Sequence, residues 1–312
     1  MPSSSTTAPP VAVELSTATN TAAVIVTYHP DASFSEHLER IARQVGRVFV
    51  VDNASNRDAL AMLQTLADKS DSVVLIENEE NLGVATAFNQ GVRASRESGY
   101  AWVLTFDQDS WVDERLLTAL SAVVSEHPQP TSIGIVGVNY WHAVTGEKAY
   151  EPRSGEGQWI EVDAVITSGS LMSTAIFDEI GCFREELFID CVDSDYCLRL
   201  LLRGYKVLMA TEPLLKHKLG NQEKHRLLWK RPSCTHYTAI RHYYLMRNRL
   251  SMISRYCRSH PAWAFRELRE IFVVLLLLTL YERQRLTKFR AVVLGAWHAL
   301  RRRAGKLRQP NL

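Results

Sequence analysis

The chain has 312 residues, 46% of them hydrophobic and 22% charged, with a formal net charge of +2. That suits a globular protein of one large domain with appendages, or of two domains, and nucleic acid is not an expected partner. Its five cysteines are odd in number and form no Cys-x-x-Cys, so they signal neither a disulfide framework nor a zinc site and read as reduced, buried thiols of a cytoplasmic protein.

Residues 1–20 are rich in Ser, Thr, Ala and Pro and lack both a basic n-region and a sustained apolar core. They read as a disordered lead-in, not a signal peptide. The apolar run 22–27 is broken by Tyr28-His29-Pro30 and reads as a first buried strand. Ser33-x-x-Glu36 is a capping-box pattern, followed by Leu38 and Ile41 at helical spacing. A strand at 47–51 ends at Asp52-Asn53; a helix over 57–69 and a strand at 73–76 follow. Asn81-Leu82-Gly83 leads into a helix through Ser98, and a strand from Ala101 ends in Asp107. Strand and helix alternate with short connections, which predicts a parallel sheet covered on both faces, with ligands at the carboxyl ends of its strands.

From Ile133 the pattern changes. Residues 133–138, 159–162 and 165–166 read as strands of a mixed, partly antiparallel region, and Ser168-Gly169-Ser170 as a turn before a helix. Residues 193–203 are expected to be helical and 206–209 to be a strand; from about His236 onward everything looks helical. The expected organisation is a lead-in over 1–20, a catalytic domain over 21–235 and a basic helical region over 236–312. The apolar stretch 271–281 is about half of the roughly twenty residues a spanning helix needs. Arginines and lysines surround it, so two readings stand side by side: a helix lying on a membrane surface, or a bundle helix with a solvated basic face.

Two acidic clusters carry the chemistry. Asp107-Gln108-Asp109 closes an apolar strand, and two carboxylates one residue apart there point into one crevice. They suit a hard divalent cation, Mg²⁺ or Mn²⁺, through oxygen ligands. Asp109 is read as the direct ligand, and Asp107 as a ribose contact or as acting through water. The plainer alternative is a capped turn. Asp193-Ser194-Asp195 opens a helical run that carries Arg199: one carboxylate serves as a general base while the other orders the turn with Arg199. A solvated Asp has a pKa of about 3.9 and stays ionised at neutral pH. Favourable charge at a helix N-terminus is the structural alternative.

Asp52 follows a strand, where it suits a nucleotide base or ribose, or else caps the next helix. Gly83 lets the backbone approach a ligand, or simply makes a turn. His217 is a third metal ligand, a phosphate donor, or an ordinary histidine. Arg241, Arg247 and Asn248, with Tyr243 and Tyr244, form a polar and aromatic set on one helix, suited to phosphate or to a cationic surface.

Taken in order over about residues 22–250, these features resemble the family-2 glycosyltransferases. They are Val51-Asp52-Asn53, Asn81-Leu82-Gly83 with Asn89, Asp107-x-Asp109, Gly169, Asp193-x-Asp195 with Arg199 and Gly204-Tyr205, and His217-x-x-Gly220. Phe106-Asp-Gln-Asp-Ser110 and Glu186-Leu-Phe-Ile-Asp190 resemble the rhamnosyltransferase subgroup. The resemblance implies a GT-A fold: an α/β, Rossmann-like mixed sheet flanked by helices, here with a C-terminal helical extension. It implies dTDP-L-rhamnose as donor and a glycan or glycolipid as acceptor.

Carried over by position, Asp193 would be the catalytic base, and Asp109 and His217 would hold the metal. Thr27, Asp52, Asn81, Gly83, Asn89, Asp107, Gln108 and Gly169 would bind the donor, and Arg247 its diphosphate. Many members have Glu-Asp at the base; here Val192 precedes Asp193, which removes a neighbouring carboxylate. The reaction implied is a single inverting displacement. A membrane surface and a second copy of the chain are the further partners considered, at the inner face of the cell membrane. The rivals are another sugar nucleotide, a phosphatase of the haloacid-dehalogenase type, whose Asp-x-Asp also follows an apolar strand, and a non-catalytic sugar-nucleotide sensor. A dehydrogenase lacks the Gly-x-Gly-x-x-Gly it needs.

Overall fold

The computed structural model describes residues 15–217, 223–224, 233–234 and 236–307. Most of the expected lead-in, and Gly220 of the His217 motif, lie outside the described residues. Residues 15–20 are mostly exposed but hydrogen-bonded: the Ser16 hydroxyl donates to Ser121 Oγ at 2.8 Å and Thr17 N–H to Asn20 Oδ1 at 2.7 Å.

Four parallel strands form the first half of one sheet: β1 (Thr21–Thr27), β2 (Arg47–Asp52), β3 (Val73–Glu77) and β4 (Trp102–Asp107). The helices between them are α1 (Phe34–Ala42), α2 (Arg57–Asp68) and α3 (Val84–Glu97). β1 and β4 are buried almost throughout, as apolar strands covered on both faces must be. Two apolar cores lie on opposite faces of the sheet, Ile25, Leu104 and Leu171 in one and Val24, Val103 and Met172 in the other. β1 pairs Val24 with Thr105 and Val26 with Asp107, so the last turn of β4 meets the end of β1.

The second half is mixed, as expected, but its strands differ from the sequence reading. β5 (Trp111–Val112) precedes α4 (Leu116–Glu126); β6 (Ile133–His142) and β7 (Trp159–Glu161) follow. Residues 165–166 form no strand. The strand is β8 (Ser170–Ser173), which comes directly after the Gly169 turn and lies between β4 and β6, antiparallel to both. A short α5 (Ile176–Ile180) and α6 (Val192–Leu202) lead to β9 (Lys206–His217), far longer than the strand expected at 206–209. Among the described residues the sheet order is β3-β2-β1-β4-β8-β6-β9-β5, with β7 on β9.

The C-terminal region is helical: α7 (Ala239–Tyr256), α8 (Pro261–Tyr281) and α9 (Arg285–Leu300). α9 lies close against α7 because Gly295 has no side chain; a Cβ there would sit 2.5 Å from the Tyr243 carbonyl oxygen. Among the described residues no helix is long and apolar enough to cross a membrane.

Candidate active site

A cavity of about 800 Å³ opens at the carboxyl ends of β1 and β4. Thr27, Asn81, Gly83, Asp107, Gln108, Asp109, Asp193 and His217 line it, together with Asn53, Asp190, Arg241, His242 and Arg249. Carboxylates more than eighty positions apart in sequence therefore share one space.

Ligand atoms of Asp107, Asp109 and His217 all lie within 4.8 Å of one another. Two carboxylates and an imidazole are a donor set that fits Mg²⁺ or Mn²⁺. Asp107 ends β4 and Asp109 projects from the exposed turn beyond it, while His217 ends β9 and is buried. His217 Nε2 is 3.9 Å from Asp107 Oδ2. Its Nδ1 faces Ser110 Oγ at 3.5 Å, and Ser110 Oγ is 2.5 Å from Ser168 Oγ. Burial raises the Asp107 pKa and the neighbouring Asp109 adds to this, while His217 opposes it.

The end of the cavity beside β1 and β2 is tied together by polar side chains. Asp52 is buried; its carboxylate accepts from Thr27 Oγ1 at 2.8 Å and from Ser55 N at 2.8 Å. Asn56, not Asp52, caps α2, accepting from Ala59 N at 3.0 Å. Gln108 is anchored to the Tyr28 backbone, accepting from its N–H at 2.6 Å and donating to its carbonyl at 3.2 Å. This fixes the acidic turn against the end of β1. Asn81 accepts from Gly83 N at 2.9 Å, and Gly83 adopts φ +90°, where a Cβ would meet the Phe188 carbonyl oxygen at 2.6 Å.

Asp193, at the start of α6, has its pKa pushed up to about 6, first by burial and then by the charges of Asp190 and Asp107. This replaces the solvated value expected from sequence. Asp195 points the other way and is completely buried. It accepts from Arg184 Nε at 3.0 Å, Arg199 Nε at 2.9 Å and Tyr256 Oη at 2.8 Å. Of the pair, Asp193 faces the cavity and Asp195, with Arg199, anchors the helix.

Four sequence-selected residues do not reach the cavity: Asp52, buried behind Thr27, and Asn89, Gly169 and Arg247. Asn89 is buried and joins α3 to the loop before α6: its Nδ2 donates to the Phe183 carbonyl at 2.9 Å and its Oδ1 accepts from Phe183 N at 2.9 Å. Gly169 turns the chain at φ +75° into β8, and its N–H donates to Thr105 O at 2.8 Å. Arg247 is 2% exposed, with its guanidinium turned inward. It donates to the carbonyls of Gly305 at 2.5 Å, Glu186 at 3.2 Å and Leu187 at 2.9 Å. Asn248 Nδ2 completes this clamp, donating to the carbonyls of Leu187, Ile189 and Asp190 at 2.9, 2.6 and 3.1 Å. The clamped loop is strained, with Phe188, Asp190 and Cys191 at φ +66°, +62° and +63°. Arg247 and Asn248 thus hold the segment that presents Asp190 and Asp193.

The arginines that reach the cavity are Arg241 and Arg249; Arg241 Nη2 donates to Asp190 Oδ1 at 3.1 Å, and its charge is felt at Asp107. Asp190 Oδ2, Arg241 Nε, both ring nitrogens of His242 and Arg249 Nη1 are buried without a hydrogen-bonding protein partner. They give the α7 side of the cavity free polar valences for a ligand.

The comparisons agree with this geometry. The family model described as "Glycosyl transferase family 2" matches residues 22–183. A relative named "dTDP-rhamnosyl transferase RfbF", from Shigella flexneri, is 30% identical over 246 residues, 76% of this chain and 80% of its own. Among solved structures, the mannosyltransferase PcManGT of Pyrobaculum calidifontis, in complex with GDP-Man and Mn²⁺, superposes with a TM-score of 0.51 at 16% identity, over 90% of this chain and 87% of its own. GalNAc-T7 with UDP, GalNAc and Mn²⁺ gives a TM-score of 0.52 at 14% identity, over 67% of this chain; the match spans 44% of that longer protein. The likeness shows that the fold is GT-A. With its family match and its rhamnosyl transferase relative, the chain belongs to the family-2 glycosyltransferases.

Proposed function

We propose that this enzyme transfers L-rhamnose from dTDP-L-rhamnose to a hydroxyl of a glycan or glycolipid acceptor, in a single inverting displacement on the cytoplasmic side of the membrane. The donor is suggested by the rhamnosyl transferase relative. The observation that carries the mechanism is that Asp193 and the Asp107–Asp109–His217 cluster line one cavity.

A divalent cation held by Asp107, Asp109 and His217 would neutralise negative charge on the departing diphosphate. Arg241 stands in the place the sequence reading gave to Arg247 and donates to the same diphosphate. Asn81, Gly83 and Gln108 hold the nucleotide end, and Asp52 fixes Thr27 there. Asp193 accepts the acceptor hydroxyl proton as that oxygen attacks the anomeric carbon. A pKa of about 6 leaves it mostly ionised at neutral pH and more basic than a solvated carboxylate. Arg249 Nη1, which has no hydrogen-bonding protein partner, together with the His242 ring and the carboxylates Glu267 and Glu270 on the cavity wall, offers hydrogen bonds to acceptor hydroxyls.

The test is a panel of sugar nucleotides incubated with the protein and Mg²⁺ or Mn²⁺. Slow release of dTDP from dTDP-L-rhamnose, dependent on the cation, is the expected result. Preferential hydrolysis of a UDP- or GDP-sugar would replace the donor, and cation-independent release would remove the cluster from the mechanism.

A further inference from the structure

The outer faces of α8 and α9 take no part in the site, and each carries an apolar stripe, with the exposed Arg269 set among the residues of the α8 stripe. On α8, Phe265, Leu268, Phe272, Leu276 and Leu280 recur every three or four residues, with Phe265 and Phe272 at 72% and 67% exposure. On α9, Leu286, Phe289, Val293, Trp297 and Leu300 repeat the pattern, with Leu286 and Leu300 at 80% and 79%. That spacing aligns one stripe on each helix. Each stripe lies opposite the residues that pack inward, Leu277 and Leu278 on α8 and Ala291 and Gly295 on α9. Leu278 and Val292 share a small core with Met246 of α7, so both stripes face away from one helical body. Two full-length stripes on adjacent helices exceed the scattered apolar exposure of an ordinary surface.

Charge identifies what covers them. From Arg283 to Leu312 the sequence contains no Asp or Glu. Arg283, Arg285, Arg290, Arg301, Arg302 and Arg303 are all exposed. By helical spacing Arg290 flanks the α9 stripe, and the Arg301 guanidinium lies 4.3 Å from the centre of the Trp297 ring. A second copy docking through α9 would bring arginine rims together, with no carboxylate from this segment to meet them. Anionic headgroups meet the arginines while the acyl region takes the Phe, Leu and Trp side chains. We propose that the α8–α9 face docks on the anionic surface of a lipid bilayer, lying in its interface without crossing it.

α8 then has two functional sides. Its inner face contributes Glu267, Glu270, Val273, Val274 and Leu277 to the cavity wall. One helix, about 10 Å across, would separate lipid from the active site. An acceptor tethered to that bilayer would reach Asp193 around the edge of α8; this consequence, unlike the docking itself, rests on the glycosyl-transfer reading.

Co-sedimentation of the full chain with vesicles tests the docking. The protein should bind phosphatidylcholine vesicles containing phosphatidylglycerol, and bind phosphatidylcholine alone on the order of tenfold more weakly or less. The double variants Phe289→Ser with Trp297→Ser and Arg290→Glu with Arg301→Glu change only exposed side chains; each should weaken binding to the anionic vesicles by about tenfold or more, with unchanged circular dichroism. Equal binding to both vesicles, no binding to either, or full binding by both variants would overturn the proposal. So would a dimer in light scattering that Phe289→Ser with Trp297→Ser dissociates. Donor hydrolysis without vesicles is measured on the same preparations. Its loss beside intact vesicle binding would refute the reading of the site and leave the docking standing.

Discussion

Replacing Asp193 by Asn separates what the carboxylate does for the reaction from what it costs the fold. Burial and the charges of Asp190 and Asp107 raise its pKa from 3.8 to about 6. A folded-state value above the unfolded one means that the folded protein holds the proton more tightly. The group therefore favours folding below about pH 4, and that contribution is lost as the pH rises through about 6. A shift of about 2 units corresponds to about 3 kcal/mol. Asp193 keeps part of its surface open to the cavity, so about 1–3 kcal/mol is the expected range. Asn carries no charge to desolvate. The stability of the variant relative to the parent should therefore increase by that amount between about pH 4 and about pH 7.5. Urea unfolding in the presence of a chelator measures it, with donor binding and turnover followed on the same protein. Turnover should vanish while donor binding stays within about threefold. A relative stability that does not change with pH would refute the assignment of Asp193 as a buried, destabilised base, and so would weak donor binding with residual turnover.

Other outcomes follow from the same geometry. In the parent enzyme, turnover should fall on the acid side as Asp193 takes up its proton, with a midpoint above that of an ordinary carboxylate because the group is buried; a flat acid limb would point to another base. Asp109→Asn should weaken Mn²⁺ binding by about tenfold or more in titration calorimetry, and the urea midpoint should stay put because the side chain is exposed. Arg247→Met removes the guanidinium hydrogen bonds to the carbonyls of Glu186, Leu187 and Gly305; Leu187 O keeps Asn248 and Glu186 O keeps Gly305 N–H, while Gly305 O loses its guanidinium donor. It should lower stability by about 2–4 kcal/mol and reduce kcat with little change in donor KM; unchanged stability with a raised KM would return Arg247 to the diphosphate.

The parallel half of the sheet was legible because its strands are buried on both faces and stand out as apolar runs between helices. Asp52, Asp107 and Asp109 could be picked out for the same reason: a carboxylate straight after such a run is conspicuous. β8 was missed because Ser170-Leu-Met-Ser173 is only four residues long and begins at a turn, so no period can be read from it. β9 was cut short because Thr211, Glu212 and Pro213 interrupt its apolar character, although the strand runs on to deliver His217. Arg247 was misjudged for a geometric reason. Arg241 and Arg247 stand six residues apart, a rotation of about 240° on a helix, so the two cannot face the same way. Composition does not say which of them looks inward. The stripe on α9 is likewise plain in the sequence, but its spacing is that of any amphipathic helix, and only packing reveals that its apolar side is the one turned outward.

The clamp on the loop before α6 reaches beyond the helices. Gly305 N–H donates to Glu186 O at 2.6 Å, its carbonyl receives Arg247, and Leu307 N–H donates to Tyr244 Oη at 2.8 Å. Residues 305–307 thus act as a strap buckled over the loop that leads to Asp193, although they do not line the cavity. That strap holds the end of the cavity that bears Asp193, while β4 and β9 deliver Asp107 and His217 at the other. The two ends of the cavity are therefore held in place by separate parts of the chain.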